Sequence, residues 1–335
     1  MKIESKKVLI TGGAGFIGSH IVDSLVKNGA EVIVLDNFSS GRLENIANQK
    51  ENIKIVRGSV LNLNLLKKII KDVDVVSHQA ASLEIFRALD DPFYDLKTNV
   101  IGTLNVLKAC LDSNVKKIIN ASSACVYGQA VTTPQSEDHP LNPHWPYGVS
   151  KLAAEKYCTM FHEFYGLPTV SLRYAIVYGP REWFGRVLTI FIKRVTEGKP
   201  PVIFGNGKQV RDFIHVFDVV RVHNICIEKS ITNGKVYNIG SGVGTTIEEL
   251  ANAVIQCANK KLKPIYEEVK EGEESKYVRG RKRIPGELKK MHLDISKTKK
   301  ELDWKPQITI EEGVKTEIEW YIKNLHRWQV KEIRI

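Results

Sequence analysis

Long apolar runs are missing from this 335-residue chain. No stretch reaches the roughly 18–20 uninterrupted apolar residues that a membrane-spanning helix needs, so a helical span is excluded. The run nearest the N-terminus, Val8-Leu9-Ile10, is too short for the apolar core of a signal peptide. Cysteine is scarce: Cys110, Cys125, Cys158, Cys226 and Cys257 form an odd set with no Cys-x-x-Cys pair. Neither a disulfide framework nor a zinc cluster is expected, and a reducing cytoplasm is the expected compartment. The nine histidines are scattered, with no pair at ligand spacing followed by acids, so no metal is expected. No internal repeat or low-complexity segment occurs, which excludes a solenoid.

What the chain does contain is enough apolar material for a sizeable core, 43% of residues, at a length suited to one large or two modest domains. It also carries 49 Lys+Arg against 38 Asp+Glu, a formal charge of +11. That excess is compatible with nucleic acid, an anionic membrane surface or an anionic small substrate. From Lys7 onward, short β-branched runs (Val8-Leu9-Ile10, Glu31 to Leu35, Ile53 to Val56, Val73 to His78, Lys117 to Asn120) alternate with amphipathic stretches. Helices are predicted over 20–28, 64–70 and 95–113. Strands apolar on both faces and separated by helices indicate a doubly wound parallel α/β sheet. After about residue 175 the alternation becomes irregular, and the part from Glu248 is helical and then highly charged. A Rossmann-like domain over 1–175, rejoined at 209–241, is therefore expected beside a smaller mixed α/β substrate domain made of 176–208 and 242–330. The segments Phe213–Val216 and Val236–Ile239 are the expected returns to the sheet.

Thr11-Gly12-Gly13-Ala14-Gly15-Phe16-Ile17-Gly18 lies between the first strand and the first helix. Glycines 13, 15 and 18 satisfy G-x-G-x-x-G, and 12, 15 and 18 satisfy the wider G-x-x-G-x-x-G spacing. Residues without Cβ let a pyrophosphate approach the backbone, and the helix N-terminus offers free N–H groups. Asp36 ends the second strand, 21 residues after Gly15. A carboxylate there accepts from both adenosine ribose hydroxyls and repels a 2′-phosphate, which favours NAD over NADP.

Tyr147 and Lys151 stand four apart in Tyr147-Gly148-Val149-Ser150-Lys151, behind Pro143 and Pro146. At a helix start this spacing puts both on one face. A tyrosine with an ordinary pKa of about 10 is a poor base at neutral pH, and a nearby ammonium with the positive nicotinamide ring would favour its phenolate. A hydroxyl from Ala121-Ser122-Ser123 could complete the set.

With these residues in order, the chain resembles the extended short-chain dehydrogenases/reductases that act on nucleotide sugars. The resemblance rests on Thr11–His20, His78-Gln79-Ala80-Ala81, Asn99–Thr103, Ser122–Gly128 and Tyr147–Lys151. Arg173-Tyr174, Val177–Arg181, Val210–Val216 and Leu293–Lys297 extend it towards the C-terminus. Within that family the chain is most similar to the UDP-glucose/UDP-galactose 4-epimerases. The resemblance implies that Tyr147 removes the proton of the sugar 4-hydroxyl while C4 passes hydride to NAD. Lys151 lowers the tyrosine pKa and binds the nicotinamide ribose, and Ser123 orients the 4-oxygen. It assigns NAD to Gly12, Gly15, Phe16, Ile17, Asp36, Asn37, Ser40, Gly41, Ser59, Val60, Ala80, Ala81 and Asn99, with Tyr147, Lys151 and Tyr174 around the nicotinamide. For the substrate it implies Arg211 on the pyrophosphate, Val202 and Phe204 beside the uracil, Glu287 on the uridine ribose, and Met291 near the sugar. Arg181 could meet a carboxylate if the sugar is glucuronate. A homodimer through the helices of 95–113 and 147–164 is implied as well.

Relatives that dehydrate or decarboxylate their sugar commonly carry an acid after the Ser/Thr, where this chain has Ala124-Cys125. Dehydration at C5/C6 needs a general acid and base, so redox-neutral inversion at C4 is the expected reaction. UDP-glucuronate or UDP-N-acetylglucosamine epimerisation, a dehydratase, a decarboxylase, a 4-keto reductase and a non-catalytic NAD-binding scaffold are the alternatives. Departures from the family pattern stand at Ile176 (usually Asn), Ser59 (usually Asp), Ile284 (usually Arg, with Arg283 displaced by one) and Met291, whose bulk is intermediate. The basic excess has an address: residues 276–300 hold ten Lys/Arg against Glu287 and Asp294, a local balance of +8. Such a field suits an anionic UDP-sugar. No RNP-like, helix-turn-helix or KH pattern is visible, so nucleic acid is not an expected partner.

Overall fold

A computed structural model of the chain describes residues 1–182 and 185–328, so positions 183–184 and 329–330 of the expected substrate region lie outside the described residues. The described residues form twelve strands: β1 (Lys7–Thr11), β2 (Glu31–Asp36), β3 (Ile53–Arg57), β4 (Val75–His78), β5 (Lys117–Ser123), β6 (Thr169–Tyr174), β7 (Ile176–Tyr178), β8 (Val202–Phe204), β9 (Val210–His215), β10 (Lys235–Ile239), β11 (Gly244–Thr246) and β12 (Ile265–Glu267). The helices are α1 (Phe16–Lys27), α2 (Leu63–Ile70), α3 (Ile85–Asp90), α4 (Pro92–Leu96), α5 (Gly102–Asp112), α6 (Pro146–Tyr165), α7 (Val187–Thr196), α8 (Val216–Glu228), α9 (Ile247–Cys257), α10 (Ser296–Leu302) and α11 (Ile310–Lys323). None of the described helices is long and apolar enough to cross a membrane.

Seven strands form one parallel sheet in the order β10-β6-β5-β4-β1-β2-β3. The runs VLI, VIVLD and KIINASS are buried along their whole length because helices cover both faces. α1 and α8 pack on one face, around Ile21, Leu25, Val219 and Val222. α2, α5 and α6 cover the other, around Leu66, Val106, Leu107 and Phe161. A third apolar cluster joins α7, α9 and α11 through Phe191, Leu250 and Ile318. α9 and α11 each begin with a capping box, Thr246/Glu249 and Thr309/Glu312, so both starts are set locally.

The structure corrects one expected return of the chain. Val236–Ile239 joins the large sheet as β10, but Phe213–Val216 does not. Pairing to β10 already fills the free edge of β6, and the Ala175 amide donates to Ile239 O at 2.9 Å as the chain leaves the sheet. β9 instead pairs with β7 and β11 in a separate three-stranded sheet. The single helix predicted over 95–113 is also divided: α4 and α5 are joined by a π-helical segment, Lys97–Ile101.

Candidate active site

A cavity of ≈ 540 Å³ runs along the C-terminal ends of the parallel strands and under the small sheets. That is where open α/β sheets bind ligands, because strand ends and helix N-termini meet there.

One end of the cavity is built from backbone. α1 starts at Gly15 with no side-chain cap and no acid in its first turn, which leaves its N–H groups and positive dipole open to an anion. Gly12 takes φ 69°, and a Cβ there would lie 2.8 Å from the Ala80 backbone. A Cβ on Gly18 would lie 2.2 Å from the Gly12 carbonyl, so the loop closes this tightly only with glycine. Asp36 is 6% exposed and accepts from the amides of Ala14 at 3.0 Å and Phe38 at 2.8 Å. Burial raises its pKa while those two bonds oppose the rise. Each carboxylate oxygen keeps capacity for one more donor, as a ribose diol requires. The cradle and this acid fit NAD. Phe16, Ile17, Asn37, Ser40, Ser59, Val60, Ala80, Ala81 and Tyr174 lie in the same wall.

Two residues expected to touch the cofactor do not line the cavity. Asn99 is 1% exposed and serves as a strut. It accepts from the Ser82 amide at 2.8 Å and donates to Ser82 O, Asp95 and the Ser150 hydroxyl at 3.0–3.1 Å. The extra residue of the π segment is where this inward-facing side chain sits. Gly41 stands behind Asp36: a Cβ there would lie 2.7 Å from the carboxylate, so it makes room for the acid.

The middle of the cavity brings Ser123, Tyr147 and Lys151 together. Ser123 ends β5, and its hydroxyl accepts from the Cys125 amide at 3.1 Å. Tyr147 follows Pro146, the first residue of α6, and Lys151 stands one turn later. Burial, helped by the Cys125 thiol, pushes the Tyr147 phenol above its ordinary value; the Ser123 hydroxyl and the Arg186 charge oppose the rise. Burial lowers Lys151 to about 8, offset in part by Cys158, Asp95 and Glu155. Lys151 is therefore a cation at neutral pH. His78 is lowered to about 3 by burial and by Lys151, so it is neutral. Its ring bridges the hydroxyls of Thr11 (2.7 Å) and Thr103 (3.0 Å). Behind the set, Glu155 accepts from Ser122 at 2.6 Å and from the Arg173 fork at 2.9 and 2.6 Å, locking α6 to β5 and β6.

The far end is built from long charged side chains. Arg211 of β9 approaches Glu287 at 3.7 Å, and Arg283 pairs with the same carboxylate at 3.2 Å. The arginine displaced by one residue in sequence thus still faces the cavity. Arg281 stacks on the Phe204 ring, 4.2 Å from its centroid. The departures Ser59, Ile176, Ile284 and Met291 all lie in the wall.

Two expected substrate contacts are placed elsewhere. Val202 is fully buried in a small apolar cluster with Phe204 and Val269, and its carbonyl accepts from Arg281 at 2.8 Å. Arg181 has φ 74°, a turn that sends its guanidinium over α1 to Asp23 (2.6 Å) and the Ser19 hydroxyl (3.1 Å). Arg186, which nothing in the sequence singled out, occupies the wall instead and puts its charge near Cys125 and Tyr147. Arg281 was visible only as part of a basic stretch. No periodic signal marks either residue, since both belong to irregular segments. Among the described residues no group of three His, Cys, Asp or Glu side chains could hold a metal ion.

Comparison with known proteins agrees with this geometry. A family model described as GDP-mannose 4,6 dehydratase matches residues 9–317. A putative UDP-glucose 4-epimerase of Methanocaldococcus jannaschii is 37% identical over 96% of this chain and 99% of its own. The crystal structure of a Thermotoga maritima UDP-glucose 4-epimerase with UDP-glucose is 36% identical, with a TM-score of 0.87 over 95% of this chain and 99% of that one. A Thermus thermophilus UDP-glucose 4-epimerase complexed with NAD is 32% identical, with a TM-score of 0.83 over 95% and 99%. The chain belongs to the GDP-mannose 4,6 dehydratase family of extended short-chain dehydrogenases/reductases, enzymes that epimerise or dehydrate nucleotide sugars.

Proposed function

We propose that this protein inverts C4 of a UDP-sugar of the UDP-glucose/UDP-galactose type and recycles its cofactor in every turnover. The cofactor is NAD, which when bound takes up the C4 hydride and returns it. One observation carries the reading: Ser123, Tyr147 and Lys151 meet in a cavity shared with the glycine loop, while Ala124 and Cys125 provide no carboxyl group beside them. Tyr147 takes the proton of the 4-hydroxyl and gives it back, and Ser123 holds the 4-oxygen. Lys151, cationic below about 8, favours the phenolate that the buried site otherwise opposes. Arg211, with Arg283 close by, neutralises the diphosphate, Glu287 takes the uridine ribose and Phe204 offers a face to the uracil. A 4,6-dehydration would need a further acid and base positioned at C5 and C6.

The test is incubation of the NAD-loaded protein with UDP-glucose, UDP-galactose, their N-acetyl forms and UDP-glucuronate, read by chromatography. Interconversion of one C4 pair without net NADH change supports the reading. Release of CO2, or of a 4-keto-6-deoxy sugar, overturns it.

Arg186 favours UDP-glucuronate as a second substrate reading, because it sets a cation beside Tyr147 where a sugar carboxylate could reach it. The apolar residues exposed on α4 to α6 support a homodimer: Phe93 (73%), Leu96, Ile101, Val149 and Phe164 (76%) leave one side of these helices uncovered. A monomeric mass in light scattering would refute the dimer.

A further inference from the structure

The loop between β7 and α7 sends two arginines in opposite directions, Arg181 to α1 and Arg186 to the cavity. The same loop carries an acid that the proposed chemistry does not use. Glu182 is 1% exposed, and neither of its carboxylate oxygens has a hydrogen-bond partner. Its one ion pair among the described residues is with Arg186, 3.5 Å from Oε1. The Arg186 side chain is 37% exposed, so the pair joins a buried anion to a cation at the cavity wall. A second acid, Glu317 of α11, is 2% exposed and leaves Oε2 unpartnered.

We propose that Glu182 is a positioning residue whose carboxylate holds and partly neutralises Arg186 at the sugar end of the cavity, and that Glu317 beside it makes this hold depend on a proton. The sugar end is named on the C4 reading above. Two buried carboxylates near each other cannot both ionise at little cost. Burial raises Glu182, with Arg186 opposing. Burial and the Glu182 charge raise Glu317, with the Gly179 amide opposing. Groups on the neighbouring elements do not take over this role. The Tyr178 phenol of β7 is raised by burial and by Glu317, Asp218, Glu311 and Glu312, and stays neutral. Asp218 of α8 is satisfied by Arg221 and by the amides of Gln307 and Ile308. His215, whose ring centre is 5.3 Å from that of Tyr178, is lowered to about 4 by burial and stays neutral. Arg181 is committed to Asp23.

When both carboxyls are protonated, Glu182 is neutral and the charge of Arg186 is free to meet an anion in the cavity. When Glu182 ionises, it takes that charge back. Calorimetric binding of UDP-glucuronate and UDP-glucose to the NAD-loaded protein reads this without turnover. The proteins are wild type, Glu182→Gln, Glu182→Asp, Arg186→Met and the Glu182→Gln/Arg186→Met double variant. Lys151, lowered to about 8, titrates against both ligands, so the readout is the ratio of UDP-glucuronate to UDP-glucose affinity. In the wild type this ratio should fall about threefold between pH ~6 and ~8. Glu182→Gln should keep the low-pH ratio throughout, and Glu182→Asp should keep the pH step in the ratio. Arg186→Met and the double variant should show an equally low ratio with no pH step. A wild-type ratio with no pH step, a Glu182→Gln ratio that titrates as the wild-type one does, or a Glu182→Gln effect that survives in the Arg186→Met background overturns the proposal. If the binding pattern holds but no UDP-sugar is epimerised, only the C4 reading fails.

Discussion

The two ends of the cavity are built from different material. At the dinucleotide end the wall is backbone: Gly12, Gly15 and Gly18, an uncapped helix N-terminus, and one acid whose oxygens are held by two amides. At the opposite end the wall is side chain: Arg211, Arg281 and Arg283 gathered around Glu287 and Phe204, on short strands and irregular loops. A backbone wall has a single shape and fails when a methyl group is added. A wall of long side chains can move, and should lose affinity by degrees.

Ser123, Tyr147 and Lys151 sit where the two walls meet, so the largest effect is expected there. Tyr147→Phe should lower kcat about 10³-fold, on the scale of a lost general acid–base, while NAD stays bound. Cofactor absorbance of the purified variant and its turnover measure the two together. A smaller loss would move the proton-transfer role away from Tyr147. Gly18→Ala comes next. Its Cβ would sit 2.2 Å from the Gly12 carbonyl, so the loop must open. NAD affinity should fall about 100-fold, the scale of several lost backbone contacts to the pyrophosphate. Retained NAD after gel filtration would show that the backbone wall is more pliable than it looks. At the other end, Arg211→Met should raise KM about tenfold with kcat nearly unchanged, because Arg283 is left near the diphosphate. A total loss at Arg211 would break the contrast from the opposite side.

The same contrast explains which parts were legible in the sequence. The parallel sheet, the loop of residues 11–18, Asp36, and the Tyr147/Lys151 pair could all be read, because glycine spacing and helix periodicity encode backbone shape directly. The segments of β9 and β10 were both expected to return to the sheet, and only β10 does. Both are short apolar runs, and only the competition for the edge of β6 decides which one enters the sheet. Arg181 and Arg186 show the limit most clearly. They are five residues apart on one loop, and a positive φ at Arg181 turns the nearer one away from the cavity. Sequence carries that turn only weakly, since the residue is not glycine. Asn99 and Gly41 were assigned to the cofactor, but each supports the wall from behind. Of the ten basic residues in 276–300, Arg281, Lys282 and Arg283 reach the cavity. Lys297, Lys299 and Lys300 belong to α10, away from it.

The smallest effect concerns the acid pair behind the side-chain wall. Glu317 is 2% exposed, and a glutamine there keeps the shape of the side chain. What Glu317→Gln removes is the charge. Burial and Glu182 raise the Glu317 pKa in the folded protein above its unfolded value. A carboxyl group raised in this way contributes stability below its unfolded pKa and loses it as pH rises through the folded one. The wild type should therefore lose melting temperature on going from pH ~5 to ~8, as the pair is forced to ionise. Glu317→Gln has no such cost at this site. It should melt on the order of 2 °C above wild type at pH ~8, with the gap closing towards pH ~5. Thermal scans at the two pH values measure this. Equal melting temperatures at both would mean that α11 and the loop relax far enough to hydrate the pair. The side-chain end of the molecule would then be softer than its burial implies, and the hold of Glu182 on Arg186 would weaken with it.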